Sequence, residues 1–152
     1  MNNSLFCSIR KIWVADLPEE KVRQALIQQM TQQLGYPCGI LALEKNLHQL
    51  PHLKTHSSLP KRRADLIVFA KDIHPEHHLY HLLLIECKAV PMTTKTLRQL
   101  IGYNQFVGAP FIAAVNQTQA SFGWYQPEKN DFIFKEGFLR YETILNLAKK
   151  LI

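Results

Sequence analysis

Apolar and polar positions along the chain fall into two kinds of pattern, a helical period and short continuous apolar runs. Between Glu19 and Leu34, apolar residues recur at four-residue spacing, which predicts an amphipathic helix. Asp16 is a candidate N-cap, and Pro18-Glu19-Glu20 supplies a helix-initiating proline with first-turn carboxylates. Gly35-Tyr36-Pro37 then predicts the end of this helix.

Two nearly continuous apolar runs dominate the middle of the chain. They extend from Ala64 to Ala70 and from Leu79 to Lys88, and their length is typical of strands buried on both faces. A polar connection broken by Pro75 lies between them. The two runs therefore predict a β-hairpin.

The same periodicities predict the other elements of an α/β fold. They are a strand over 40–44, a helix over 93–107 capped by Thr93 or Thr94, a strand over 111–115, edge strands over 122–125 and 131–135, and a helix over 141–152 with Ile144, Leu147, Ala148 and Leu151 inward. The order α-β-β-β-α-β, with small additions, predicts an α/β sandwich around a mixed sheet.

Composition narrows the class of protein. The 152 residues are 47% hydrophobic and 20% charged, which predicts one globular domain over residues 1–152. Lys and Arg exceed Asp and Glu by 18 to 12, and this net charge of +6 permits a polyanionic partner. The three cysteines form no CxxC pair, so neither a disulfide framework nor a zinc-thiolate site is indicated.

No stretch of the sequence has the character of a membrane span or a signal peptide. The longest aliphatic run, Leu82 to Ile85, is far too short to cross a bilayer, and the first residues lack a long apolar stretch. We therefore expect a cytoplasmic protein with no membrane partner.

The predicted hairpin brings three charged residues together. If it is symmetric about the Pro75–Glu76 bond, Asp65 lies opposite Glu86, with Cβ atoms roughly 4.5–5.5 Å apart. Two such carboxylates repel each other unless a cation lies between them. Lys88 is two residues from Glu86 and therefore projects from the same face. This arrangement suits a divalent ion with an ammonium group beside the reacting water or phosphate.

A structural interpretation of each residue remains open at this stage. An Asp at the start of a strand is commonly a turn residue, and an E-x-K sequence is commonly a solvated edge or a salt bridge. The aliphatic run immediately before Glu86 argues against the edge interpretation, because it indicates a central strand.

Several motifs together resemble a known family. Arg63-Ala64-Asp65 and Ile85-Glu86-Cys87-Lys88 resemble the PD-(D/E)XK nuclease superfamily, more narrowly the N-terminal nuclease domain of type I restriction endonuclease R proteins. Pro18 to Arg23 and the Q-x-x-x-Y helix motif from Gln99 to Tyr103 extend the resemblance. It implies a restriction-endonuclease-like three-layer fold with an αβββαβ core. It also implies Mg²⁺-dependent hydrolysis of DNA phosphodiesters, with Mn²⁺ as a substitute.

The resemblance also implies roles for individual residues. Asp65 and Glu86 would bind the metal, with the main-chain carbonyl of Cys87 as a third ligand. Lys88 would orient or deprotonate the water, or stabilise the transition state. A carboxylate of the first helix would assist, and we expect Glu20 rather than Glu19.

Polar residues around this constellation are candidates for binding nucleic acid. Gln99 and Tyr103 share one helix face, which in similar proteins lies toward the active site. The alternatives are an exposed helix residue and a core aromatic. Lys61, Arg62 and Arg63 precede Asp65 and are candidates for phosphate contacts, the alternative being a solvated loop.

The motifs present in the sequence also limit the other functions and partners that we expect. It has no G-x-x-x-x-G-K-[ST] phosphate loop, so we expect no nucleotide cofactor and no DNA translocation by this chain alone. The expected partners are DNA and either a second copy of the chain or restriction-system subunits. One alternative is a catalytically inactive nucleic-acid-binding or interaction module that retains the nuclease fold. Another is a small protein in which these charges form a buried salt-bridge network.

The histidines form a pattern that suggests a transition metal at first sight. His74, His77, His78 and His81 give H-x-x-H-H-x-x-H, but the segment is a predicted turn that contains Pro75. We therefore expect solvent-exposed loop histidines rather than a metal site.

Overall fold

A computed structural model describes residues 3–152 of the protein, so Met1 and Asn2 of the predicted domain lie outside the described residues. It is an α/β structure with eight strands and three α-helices among these residues. The elements are β1 (Ser4–Cys7), β2 (Ile12–Ala15), α1 (Pro18–Gln32), β3 (Leu41–Asn46), β4 (Arg63–Lys71), β5 (Leu79–Cys87), α2 (Thr94–Val107), β6 (Phe111–Val115), β7 (Ala120–Gln126), β8 (Asp131–Glu136) and α3 (Tyr141–Leu151).

The core is a mixed six-stranded sheet in the order β3-β4-β5-β6-β7-β8. Only β5 and β6 are parallel, and α2 forms the crossover between them, since parallel neighbours need a long connection. Leu82 to Ile85 of β5 are almost completely buried, so the prediction of a central strand is confirmed. The sequence α1-β3-β4-β5-α2-β6 is the predicted αβββαβ order, and the open sheet is compatible with a restriction-endonuclease-like fold.

The central hairpin has the predicted register at the end that matters for the site. Leu66 pairs with Ile85, and Val68 pairs with Leu83. Toward the turn the register shifts, because Phe69 pairs with His81 and leaves Leu82 as the extra residue of a β-bulge. Since the bulge lies on the turn side, it does not displace the ends of β4 and β5 where the charged residues are.

The helix boundaries follow the sequence with one exception. Thr93 caps α2 as predicted, because its hydroxyl accepts a hydrogen bond from the Thr96 N–H at 3.2 Å. The predicted N-cap of α1 is wrong. Leu17 occupies that position without a side-chain cap, and the Asp16 carboxylate pairs instead with Lys21 at 3.4 Å.

Two predictions at the far side of the sheet are corrected. Strand β7 is not an edge strand, because it lies between β6 and β8 and pairs with both. In α3, Ile144 and Ala148 are buried as predicted, but Leu147 and Leu151 are 40% and 70% exposed. These two leucines lie beside the buried stripe and border an open apolar groove.

The prediction of exposed histidines is confirmed for His78, is not met by the half-buried His74 and His77, and is wrong for His81. His78 is exposed, whereas His81 at the β-bulge is buried and stacks on His52 with ring centroids 3.5 Å apart. Both are neutral partners in a packed cluster, since burial lowers the pKa of each imidazole, that of His81 to about 3.

A short N-terminal hairpin, β1–β2, was not predicted. Its strands have four residues each and no clear alternation, so the periodicity criterion has little to detect. The turn carries Arg10, which reaches helix α1 and pairs with Glu20.

Within residues 3–152, none of the helices has both the length and the apolar character required to cross a bilayer.

Candidate active site

Asp65 and Glu86 lie side by side where the pairing between β4 and β5 ends, although β4 continues along β3 and β5 continues along β6. Asp65 directly precedes Leu66 and Glu86 directly follows Ile85, and these two neighbours are the last pair of the β4–β5 ladder at this end. One Asp65 oxygen, Oδ2, accepts a hydrogen bond from the backbone N–H of Cys87 at 2.8 Å. The Asp65 side chain therefore takes the place of a main-chain acceptor and is fixed against β5. Its exposed fraction is 29% and that of Glu86 is 12%.

The electrostatic environment of Asp65 favours a cation close to it. Burial raises the pKa of Asp65, the Cys87 N–H opposes this effect, and the negative charge of Glu86 raises the pKa further. A partly desolvated carboxylate beside a second carboxylate is stabilised when a positive charge lies between them. The pair of carboxylates formed by Asp65 and Glu86 is therefore suited to bind a metal ion.

Lys88 is the third member of the predicted set, and it lies beside Glu86 as its spacing requires. Its Nζ atom is 3.1 Å from Oε1 of Glu86. The backbone of Lys88 is fixed by its N–H, which donates to the Val115 carbonyl of β6 at 2.8 Å. The central sheet therefore positions the ammonium group.

Tyr103 and Arg62 line the α2 side of the same carboxylates. Arg62 Nη2 donates a hydrogen bond to Oε1 of Glu86, and its guanidinium lies 4.6 Å from the centre of the Tyr103 ring. The Tyr103 hydroxyl donates to the Arg62 carbonyl at 3.1 Å. Tyr103 is thus a core aromatic and also a neighbour of the site. Gln99, one turn earlier, is exposed, and its side chain makes no hydrogen bond among residues 3–152.

Glu20 is present at the site but is fully engaged by arginines. Arg23 donates to its two oxygens at 2.8 and 2.7 Å, and Arg10 donates at 2.7 Å. Although burial alone raises the pKa of Glu20, these hydrogen bonds lower it to about 2. Arg23 in turn lies 3.7 Å from Oδ1 of Asp65. In this arrangement Glu20 positions the two arginines.

Glu19 lines the same pocket with a different environment. Its side chain is exposed, and no ion pair or hydrogen bond to it is formed within the part of the chain that the structure describes. Its negative charge contributes to raising the pKa of Asp65. Both helix-one glutamates therefore face the pocket. Glu19, which was not the glutamate expected from the sequence, is more available to a ligand than Glu20.

Glu44 belongs to the site and was not predicted to do so. Its backbone has a positive φ of 51°, which L-residues rarely adopt, and β3–β4 pairing is interrupted opposite Asp65. The carboxylate lies 3.0 Å from Arg23 and 3.8 Å from Arg63. The only sequence signal is a charge inside a predicted strand, which does not by itself indicate a turn toward the pocket.

The basic cluster before β4 is divided among three environments. Arg62 contacts Glu86, and Arg63 is largely exposed beside Glu44. Lys61 is exposed and lines a separate surface pocket with His48. The structure therefore brings two of the three predicted phosphate-binding residues to the site and leaves Lys61 at a distance from it.

A pocket of about 300 Å³ opens between α1, the N-terminal hairpin and the ends of β3 to β5. Its lining includes Arg10, Glu19, Glu20, Arg23, Glu44, Asp65 and Cys87. Within residues 3–152, no group of three or more His, Cys, Asp or Glu side chains is arranged to hold a metal ion. Asp65 and Glu86 nevertheless fit Mg²⁺, which binds one or two carboxylates and keeps several waters.

Comparison with known proteins identifies the family but no individual relative. The family described as the type I restriction enzyme R protein N terminus matches residues 18–137. This range contains the site residues from Glu19 to Tyr103 and excludes the β1–β2 hairpin and α3. No curated protein and no solved structure matches the chain. Because the match covers most of the sequence, the chain belongs to the family of type I restriction enzyme R protein N-terminal domains.

Proposed function

We propose that this domain is a Mg²⁺-dependent nuclease of the PD-(D/E)XK type that hydrolyses DNA phosphodiester bonds. The observation that carries the proposal is the convergence of Asp65, Glu86 and Lys88 at the open end of β4 and β5. Acidic oxygen donors with an ammonium group beside them match the needs of metal-assisted phosphodiester hydrolysis. The family membership supports this reaction class.

In this proposal each residue has a distinct task. Asp65 and Glu86 would hold Mg²⁺, with the carbonyl of Cys87 as a further oxygen ligand. The bound ion would supply Lewis-acid stabilisation and lower the pKa of a coordinated water. Lys88 orients the attacking water or stabilises charge on the phosphate, because its ammonium is fixed beside Glu86. Glu20 remains the predicted helix-one carboxylate, and Glu19 is its competitor for that role.

DNA is the proposed substrate and partner. Type I restriction R proteins act in multi-subunit systems, which supports restriction-system subunits as further partners in the cytoplasm. Arg62 and Arg63 would contact phosphates near the metal, since one guanidinium group can donate hydrogen bonds to two phosphate oxygens at once. This DNA-binding surface would be extended by Lys61, Gln99 and the face of α2 that carries Tyr103. A second copy of the chain would cut the other DNA strand.

Plasmid cleavage tests the proposal directly. Supercoiled DNA is incubated with Mg²⁺ or Mn²⁺ and with the wild-type protein, Lys88→Ala or Lys149→Ala. Lys149 is an exposed lysine of α3, outside the site, and serves as the matched control. We expect cleavage by the wild type and by Lys149→Ala, and its loss in Lys88→Ala with DNA retention on a gel unchanged.

The second candidate function is a binding module without catalysis. It is favoured by one observation, that Glu86 is paired with Arg62 and Lys88 while Arg23 lies near Asp65. Such pairs can be a purely structural network. DNA retention by the wild type without cleavage in either metal would support this function and contradict the nuclease proposal.

A further inference from the structure

We propose that Arg62 exchanges between Glu86 and a DNA phosphate, and that this exchange couples metal binding to DNA binding. The inference rests on the proposed function, because it requires a metal ion at Asp65 and Glu86. It adds a regulatory property of that site, namely that each ligand strengthens the binding of the other.

The first step of the argument is the crowding of positive charge on one oxygen. Oε1 of Glu86 accepts from Arg62 and also lies 3.1 Å from the Lys88 ammonium. A divalent ion on Glu86 would therefore be close to two other cations and would be repelled by both. One of them must move away for the ion to bind well, and Arg62 is the freer of the two, because its side chain is 43% exposed whereas that of Lys88 is 29% exposed.

Arg62 is built to move while its backbone stays in place. It ends an irregular segment, residues 54–62, that contains neither helix nor strand, and its side chain is 43% exposed. The Tyr103 hydroxyl donates a hydrogen bond to the Arg62 carbonyl, and the Arg62 guanidinium packs on the Tyr103 ring. The side chain can therefore rotate away from Glu86 without loss of the main-chain contact.

A phosphate is the natural second partner for this guanidinium. Arg binds phosphate and carboxylate oxygens with the same planar fork of donors. When a metal takes Glu86, Arg62 loses its carboxylate and becomes available to the DNA backbone beside the site. When DNA takes Arg62, Glu86 is released for the metal. By linkage the two effects are equal in size.

Calorimetric titration with Ca²⁺ tests the exchange without relying on catalysis. Ca²⁺ is the probe because it binds carboxylate oxygens, and a short duplex is added whose integrity is checked on a gel. For the wild type we expect the duplex to raise Ca²⁺ affinity, and Ca²⁺ to raise DNA affinity, by the same factor of about tenfold. Free Arg62→Ala should bind Ca²⁺ about tenfold more tightly than the free wild type, and DNA should add little further.

Arg63→Ala is the matched control, since it removes the same charge one residue away. The nearest carboxylate of Arg63 is Glu44 rather than Glu86. This variant should bind DNA more weakly, keep the coupling and change Ca²⁺ affinity by no more than about twofold. Arg62→Gln provides a second replacement, and thermal unfolding verifies that each variant is folded.

The absence of coupling in the wild type would overturn the inference, and so would three further outcomes. They are an unchanged or lower Ca²⁺ affinity in both Arg62 variants, coupling that persists in these variants, and a wild type that does not bind Ca²⁺. The last outcome would also remove the proposed metal site. Plasmid cleavage by the wild type without coupling would contradict the inference alone, whereas coupling without cleavage in Mg²⁺ would contradict the nuclease activity alone.

Discussion

The carboxylate of Asp65 is tied to the neighbouring strand by the backbone N–H of Cys87, which donates to Oδ2 at 2.8 Å. This bond fixes one oxygen and leaves Oδ1 toward Arg23, 3.7 Å away. The orientation of Asp65 is therefore set by a main-chain donor of the central strand rather than by a mobile side chain. A site built in this way is held in position before any ligand arrives.

Asp65→Asn should reduce metal affinity much more than DNA affinity. The amide oxygen of Asn can still accept from Cys87, so the fold is expected to persist, but the charge that attracts the ion is lost. We expect a loss of at least about tenfold in Mn²⁺ affinity by calorimetry, corresponding to roughly 1.4 kcal/mol. DNA affinity measured by fluorescence anisotropy should change far less. An equal loss of both affinities would contradict the metal-ligand role.

The two helix-one glutamates should respond differently to neutralisation. Glu20→Gln removes the charge that pairs with Arg10 and with buried Arg23, which keeps Glu44 as a partner, and should lower the free energy of unfolding by about 2 kcal/mol. Glu19→Gln should change it by less than about 0.5 kcal/mol, since the side chain is exposed. Urea denaturation measures both values.

Plasmid cleavage by the same two variants then assigns the role. If Glu19→Gln is folded and lacks cleavage, the helix-one carboxylate is Glu19. Full activity in Glu19→Gln, together with a stable but inactive Glu20→Gln, would instead support the assignment made from the sequence.

The backbone of Glu44 should be measurably strained. Glycine adopts a φ of 51° readily, whereas alanine does not, and neither carries the carboxylate. Glu44→Gly should therefore be more stable to urea than Glu44→Ala by about 1 kcal/mol. Equal stability of the two variants would mean that the left-handed conformation carries no cost. Asp72, whose φ is 59° and which lies in the turn of the central hairpin, is a control position for the same pair of substitutions.

Stability should fall in acid partly because of His81. Burial, together with the nearby His52, His77 and His74, lowers its pKa from 6.5 to about 3. The unfolded chain therefore binds a proton below about pH 6.5 that the folded protein does not. The contribution of neutral His81 to the free energy of unfolding is complete above this pH and is lost progressively as the pH falls toward 3.

Denaturation in urea between pH 7 and pH 4 measures this effect. His81→Phe should flatten the dependence of unfolding free energy on pH in that range, by at most about 1.4 kcal/mol per pH unit. His48→Gln changes an exposed histidine and should leave the profile unaltered. A profile that does not differ between wild type and His81→Phe would assign the acid sensitivity to other groups.

Much of the fold followed from local patterns in the sequence. The hydrophobic runs predicted the central hairpin, and its symmetry about the Pro75–Glu76 bond predicted the register that brings Asp65 beside Glu86. Both are determined by the two-residue period of a strand, which leaves one register that buries the apolar face. Thr93 was likewise predictable as a cap, because capping depends on residues close in sequence.

The tertiary structure decided which partner each charge finds. Arg10 reaches Glu20 from a hairpin with no periodicity to detect, Glu44 turns into the pocket through a rare backbone conformation, and His81 is buried at a β-bulge. These contacts join residues far apart in the chain, and no local pattern encodes them. Local patterns were enough to predict the strands, their central pairing and the charged residues at their ends. Only the packing of distant segments decided which carboxylates remain available to a metal and which are already held by arginine.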